Sequence, residues 1–149
     1  MSIAFIKPIR RLVLSPQWTV PQLIQQAIKA RQQSYSPYSQ FAVGAALLST
    51  SGKIYRGCNI ENSSYGLTIC AERVAIGKAV SEGDRQFSQI VITTQRELLV
   101  PPCGACLQVL NEFVPHDFEI ILASSTSHFE HYFLHDFLPR PFSFDSHVK

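Results

Sequence analysis

Ile69-Cys70-Ala71-Glu72-Arg73 and, further along, Pro101-Pro102-Cys103-Gly104-Ala105-Cys106 are the two stretches that decide how this chain folds. Each opens what reads as a helix. The first carries a thiol and a carboxylate two residues apart, and the second carries two thiols with two residues between them. A soft divalent metal such as zinc, held by three thiolates with its fourth position open to water, uses three such cysteines. A carboxylate beside them can move protons. The remainder of the chain is read as the frame that places a small substrate between these helix starts.

Cys70 to about Ser81 reads as a helix that is apolar nearly all round, through Ala71, Val74, Ala75, Ile76, Ala79 and Val80, and is therefore buried. Gly83-Asp84 ends it, and Gln89 to Thr94 follows as a strand rich in β-branched residues. The second cysteine helix aligns Cys103, Cys106, Leu107, Leu110, Phe113 and Val114 on one face, so both thiols are expected to start its buried stripe. Pro115 closes it, and Phe118 to Ala123 gives another strand.

Upstream, Thr19 caps a helix with the stripe Leu23, Ile24, Ala27 and Ile28, which stops near Gln33 ahead of Ser36-Pro37. Phe41 to Leu48 is a nearly unbroken apolar run, suited to a central strand buried on both faces. Ser51-Gly52 turns it into a hairpin with Lys53 to Asn59. A hairpin followed by helix, strand, helix, strand predicts an α/β fold, a three-layer α/β/α sandwich with a mixed sheet. After Ala123 the chain is aromatic and histidine-rich, with a short last helix expected from Leu134 to Leu138. Those aromatics either fill the domain's own core or cover a neighbouring subunit.

A chain of 149 residues, 46% hydrophobic and 16% charged, fits one domain with one substantial core. Residues 1–18 read as an N-terminal arm, 19–142 as the domain and 143–149 as a C-terminal tail. A net charge of +2 gives no electrostatic reason to expect nucleic acid or an anionic membrane as partner. No apolar run approaches the ~20 residues that span a bilayer. Met1 to Leu14 interleaves Lys7, Arg10 and Arg11 with short apolar pieces and lacks a signal-peptide core, so a cytoplasmic location is expected. In that setting a CxxC pair points to metal or redox work rather than to a disulfide. A thioredoxin-like dithiol leaves the third cysteine, beside a glutamate, unexplained.

The helical register assigns parts. Arg73 shares a face with Cys70 and leans back toward it. Three thiolates and one Zn²⁺ sum to −1, and an arginine beside them offsets that excess, as do the positive ends of two helix dipoles. Glu72 shares its face with Ile76 and Ala79 and points into apolar surroundings, where burial raises a carboxylate's pKa. The plainer reading of Glu72 is a salt-bridged or solvent-facing glutamate.

Cys70-Ala71-Glu72 with Pro102-Cys103-Gly104-Ala105-Cys106 matches the ligand-x-Glu, P-C-x-x-C signature of zinc nucleobase deaminases in its three-cysteine form. The chain more closely resembles the small cytidine deaminases. The resemblance runs through Tyr35-Ser36-Pro37-Tyr38-Ser39-Gln40-Phe41-Ala42-Val43-Gly44-Ala45-Ala46, Gly57-Cys58-Asn59-Ile60-Glu61-Asn62, Cys70-Ala71-Glu72-Arg73, Cys103-Gly104-Ala105-Cys106-Leu107-Gln108 and Leu138-Pro139-Arg140-Pro141-Phe142. It covers roughly residues 20–142.

The resemblance implies one zinc per chain on Cys70, Cys103 and Cys106, with Glu72 shuttling protons while water adds to C4 of cytosine. It implies that Asn59 and Glu61 bind the ribose 3′-hydroxyl, that Phe41 packs against the base, and that Ala71 also contacts substrate. It further implies that Phe142 reaches a neighbour's site in a homotetramer. The expected activity is hydrolytic deamination of the nucleosides cytidine and 2′-deoxycytidine. A carboxylate at the 3′-oxygen would repel a 3′-phosphate, which disfavours polynucleotides. Asn59 and Glu61 also have a plainer reading as turn formers.

Leu107 departs from the family, whose members usually carry arginine there; the arm is longer than usual, and Ser124 to Phe133 is only loosely matched. Two rival functions stand beside this one. A same-fold deaminase would act on another aminated heterocycle or a nucleoside antibiotic. A structural zinc module would recruit Cys58 as a fourth ligand and have no use for Glu72. His131 and His135 stand four apart, a spacing that can grip a metal, but they are read as polar surface or interface residues.

Overall fold

The computed structural model describes residues 18–144. The arm and tail expected at 1–18 and 143–149 therefore lie, apart from Trp18, Ser143 and Phe144, outside the described residues. Thr19 caps α1 (Val20–Arg31) through a reciprocal box: Gln22 N–H donates to the threonine hydroxyl, and the Gln22 side chain accepts from Thr19 N–H. The strands β1 (Val43–Ser49) and β2 (Ile54–Cys58) form the expected antiparallel hairpin, with Leu47 opposite Tyr55. Then come α2 (Ala71–Ser81), β3 (Phe87–Thr94), α3 (Gly104–Asn111), β4 (Glu119–Ser125), β5 (His128–Phe133) and α4 (Leu134–Phe137).

The sheet has five strands in the order β2-β1-β3-β4-β5, and only β3 and β4 run parallel, joined by the crossover helix α3. Side chains alternate cleanly across it. Ala45, Leu47, Ile90, Ile92, Ile120 and Leu122 face α2 and α3. Ala46, Leu48, Val91, Ile121 and Ala123 face Leu23, Ile24 and Ala27 of α1. Two apolar layers on opposite faces of one mixed sheet are the predicted three-layer sandwich.

Two expectations change. The strand β5 was not foreseen; it is an edge strand whose residues are exposed or half-buried, so its apolar alternation is weak and only Phe129, Tyr132 and Phe133 favour a strand by type. It also takes His131 off any helix, so the four-residue spacing to His135 on α4 does not place the two on one face. His131 Nδ1 instead lies 2.6 Å from Glu119 Oε1 on β4, and His135 Nδ1 lies 2.9 Å from the His116 carbonyl. Lastly, α2 is not buried all round. Ala71, Ala75, Ile76 and Ala79 pack on the sheet, whereas Gly77, Lys78 and Ser81 face solvent.

The alanine stripe brings α2 close to the sheet, and Gly57 on β2 brings it closer still. A Cβ built on Gly57 would meet the Ala71 carbonyl oxygen at 2.1 Å and Ala75 N at 2.6 Å. The first turn of α2 is thus seated directly on the backbone of β2. We expect Gly57→Ala to cost about 1–3 kcal/mol of unfolding free energy through forced overpacking. Gly77→Ala, where an added Cβ meets nothing within 4 Å, should instead stabilise by about 0.5–1 kcal/mol. Denaturant unfolding of the two variants checks both signs.

Candidate active site

The strands β2 and β3 end at the same edge of the sheet at which β1 begins, and the chain enters α2 and α3 there. Backbone pairs tie the intervening loops to this edge. Ile60 and Ile69 exchange hydrogen bonds at 2.9 and 3.0 Å, Glu61 N–H donates to the Tyr35 carbonyl at 2.8 Å, and Tyr35 N–H donates to the Asn59 carbonyl at 3.0 Å. Segments around residues 35–41, 59–61 and 68–72 therefore meet.

Cys70 and Cys103 occupy equivalent places. Each is the N-cap of its helix, with φ −71° and ψ 156° or 158°, and neither side chain caps its own helix. Both sulfurs thus sit at the positive end of a helix, beside N–H groups that have no carbonyl partner within the helix. Cys103 Sγ lies 3.9 Å from Cys70 Sγ and 3.5 Å from Cys106 Sγ, and all three sulfurs fall within 4.8 Å of one another. Tetrahedral zinc with Zn–S bonds of ~2.3 Å requires S···S edges of about 3.8 Å, so the trio has the spacing of a zinc site. Among the described residues, no other group of three such side chains converges in this way. Cys106 is buried, but Cys103 is exposed: as the cap residue it stands ahead of the helix, at the mouth of the site, and does not begin the buried stripe.

Electrostatics separate the thiols. Cys70 is lowered to about 5, first by a hydrogen bond from the Cys106 thiol and then by Arg73, whose Nη2 approaches Cys70 Sγ at 3.5 Å and the Thr68 carbonyl at 3.2 Å. Cys106 is pushed up by its bond to Cys70, by burial and by the charge of Glu72. Cys70 and Cys106 hold one negative charge between them readily and resist a second, so a cation arriving among the sulfurs displaces a proton. Arg73 leans over the cluster as its helical register predicts, and its buried Nε finds no partner.

Glu72 is 4% exposed, and its pKa is raised to about 7. Burial is the main cause and the neighbouring Cys70 charge adds to it; hydrogen bonds from its own N–H and from Cys106, and more weakly the attraction of Arg73, oppose both and lose. The solvent-facing alternative for this glutamate is excluded. Its carboxylate opens into a cavity of about 250 Å³ lined also by Phe41, Val43, Asn59, Glu61, Cys70 and Cys103. This lies just below the usual range of ligand pockets, about 300–1,000 Å³, and suits a small ligand such as a single heterocycle with a small appendage.

Asn59 and Glu61 are both in the cavity wall and both brace it. Asn59, 8% exposed, accepts at Oδ1 from Ser34 Oγ at 2.5 Å and from Val43 N at 2.9 Å, and donates from Nδ2 to the Phe41 carbonyl at 2.8 Å. One Nδ2 hydrogen is left for a ligand. The Glu61 carboxylate accepts from Tyr38 N at 2.9 Å, Ser39 N at 3.2 Å and the Ser39 hydroxyl, which holds its pKa below the usual carboxylate range. Ala71 is fully buried against Gly57, away from the cavity wall. Phe142 is 62% exposed and outside the wall, its carbonyl accepting from Gln108 Nε2 at 2.8 Å on α3.

Sequence reasoning passed over Ser39, Thr68, Ile92, Thr94, Val100 and Pro101, all lining the cavity. Of these, Pro101 had a signal, its place beside the CxxC. Cys58 stands apart from the cluster; its thiol reaches the Gln33 carbonyl at 3.4 Å, and burial raises its pKa.

Comparison with known proteins follows the same lines. The family profile described as "Cytidine and deoxycytidylate deaminase zinc-binding region" matches residues 19–122. A cytidine deaminase from Sporosarcina psychrophila is 48% identical over 124 residues, 83% of this chain and 91% of that protein. One from Halalkalibacterium halodurans is 47% identical over 121 residues, 81% of this chain and 92% of that protein. The crystal structure of cytidine deaminase from Burkholderia pseudomallei superposes with a TM-score of 0.80 at 40% identity, covering 84% of this chain and all of that one. Zinc analysis after exhaustive dialysis tests the ligand set. Cys58→Ser should retain the metal in full, whereas Cys106→Ser should lose most of it; loss on the first substitution would mean a closed, four-cysteine structural site.

Proposed function

The chain belongs to the cytidine and deoxycytidylate deaminase family, and from that premise we propose that it hydrolyses cytidine and 2′-deoxycytidine to uridine and 2′-deoxyuridine with release of ammonia. The observation that carries the reading is the Glu72 carboxyl, buried and raised to about 7, within a cavity that also holds sulfurs at zinc spacing. Zinc on Cys70, Cys103 and Cys106 would supply Lewis acidity at an open position, bringing the pKa of a bound water toward neutrality. Glu72 takes the proton released as water adds at C4, passes it to N3, and delivers a proton to the departing amine. A carboxyl balanced near neutrality performs each transfer without a steep energetic cost. Arg73 offsets the net negative charge of the three-sulfur site.

In this reading Phe41 forms the wall against the base, while Glu61 and the spare hydrogen of Asn59 hold the 3′-hydroxyl. Both groups are pre-oriented by their bonds to Ser34, Val43, Tyr38 and Ser39, which supports the assignment. Ala71, fully buried and outside the cavity wall, is assigned no contact with substrate in this reading. The exposed ring of Phe142, carried on a segment anchored to α3, supports insertion into a neighbouring subunit and a homotetramer. Free cysteines at metal spacing fit the reducing cytoplasm. Among the described residues no helix is long and apolar enough to cross a membrane.

Glu72→Gln should keep its zinc and lose more than the ~10²–10⁴ in kcat typical of one proton-transfer step, since this carboxyl serves several. A zinc-loaded Glu72→Gln enzyme with near-normal turnover would overturn the mechanism.

A further inference from the structure

We propose that Arg96 is a positioning residue for substrate binding, acting through the ring of Phe41; this rests on the deaminase reading and on Phe41 as the wall against the base. The Arg96 guanidinium carbon lies 5.1 Å from the centroid of the Phe41 ring, a cation–ring contact. Phe41 lines the active-site cavity and Arg96 does not. Arg96 belongs instead to the wall of the neighbouring cavity, with Arg31 and His128, so it covers the ring from outside the site.

The chain leading into Arg96 is tied down by hydrogen bonds at Thr94, Gln95 and the Arg96 carbonyl. Gln95 Nε2 donates to the Gln40 carbonyl at 2.6 Å, immediately before Phe41, and Gln40 itself sits in the left-handed region at φ 51°. Thr94 Oγ1 donates to the Arg96 carbonyl at 3.4 Å, while Arg31 Nη1 bonds the Thr94 carbonyl. The backbone of Phe41 is fixed independently, by Asn59 on its carbonyl. What that bond leaves free is the ring, which is only half-buried and whose χ2 torsion is intrinsically broad. Arg96 supplies the missing restraint by holding a planar cation against it. A base entering the cavity then meets a ring already oriented, which improves binding without altering the chemistry at C4.

An exposed cation–ring contact corresponds to about a two- to fivefold change in an equilibrium constant. Arg96→Ala should therefore raise KM for cytidine about two- to fivefold, with kcat and zinc content essentially unchanged. Arg96→Lys should recover most of that loss, since an ammonium also attracts the ring. In a Phe41→Leu background, adding Arg96→Ala should raise KM no further, because the residue acts only through the ring. An unchanged KM in Arg96→Ala, an additive effect in the double variant, or a fall in kcat that parallels zinc loss would each overturn the proposal while leaving the deaminase reading intact. A wild-type protein that leaves cytidine unconverted would overturn both.

Discussion

Three sulfurs have to converge within 4.8 Å from two separate segments, and most of the architecture can be traced to that requirement. Two of them are delivered by the same device, a cysteine at the N-cap of a helix that leaves one edge of the sheet. Placing two helix starts side by side needs close packing beneath them. Gly57 and the alanines of α2 provide it, letting helix backbone rest on strand backbone. Any larger side chain at Gly57 would move Ala71 and with it both Cys70 and Glu72.

The convergence carries an electrostatic penalty that the surroundings partly offset. Thiolates at this spacing repel, and without a cation one of them keeps its proton, as the opposite shifts of Cys70 and Cys106 express. Arg73 and the two helix dipoles stabilise the first charge; a divalent ion is needed for the rest. Glu72 stands one residue past Ala71 in this field. Burial and the thiolate outweigh Arg73, so the carboxyl is tuned upward by the same crowding that forms the metal site. Leu107, next to the cluster's Cys106, is buried in the core and adds no charge here.

The three-layer arrangement was legible because its interior strands are apolar on both faces and its helices have capped starts, as at Thr19. The sulfur cluster and the buried carboxyl of Glu72 were legible because their spacing is local: Cys70 to Arg73 is one helical turn, and the CxxC another. Features that depend on tertiary contacts were not. The strand β5 has one neighbour and exposed faces, so no periodicity betrays it. Cys103 belongs to the apolar stripe by register yet lies outside the helix, at the cavity mouth. The bracing by Asn59 of Phe41 and Val43, of Glu61 by Ser39, and the covering of Phe41 by Arg96 join segments far apart in sequence, and no single residue type announces them.

The central claim is that the three-sulfur cluster and Glu72 form a zinc-dependent site for a pyrimidine nucleoside. Its most direct test follows the ultraviolet change of cytidine incubated with the purified protein, before metal removal by a chelator, after it, and after zinc is restored. The account predicts conversion to uridine that disappears with the metal and returns as zinc is added back to one equivalent per chain. Undiminished conversion by metal-free protein, or a zinc-loaded protein that leaves cytidine unchanged, would contradict it.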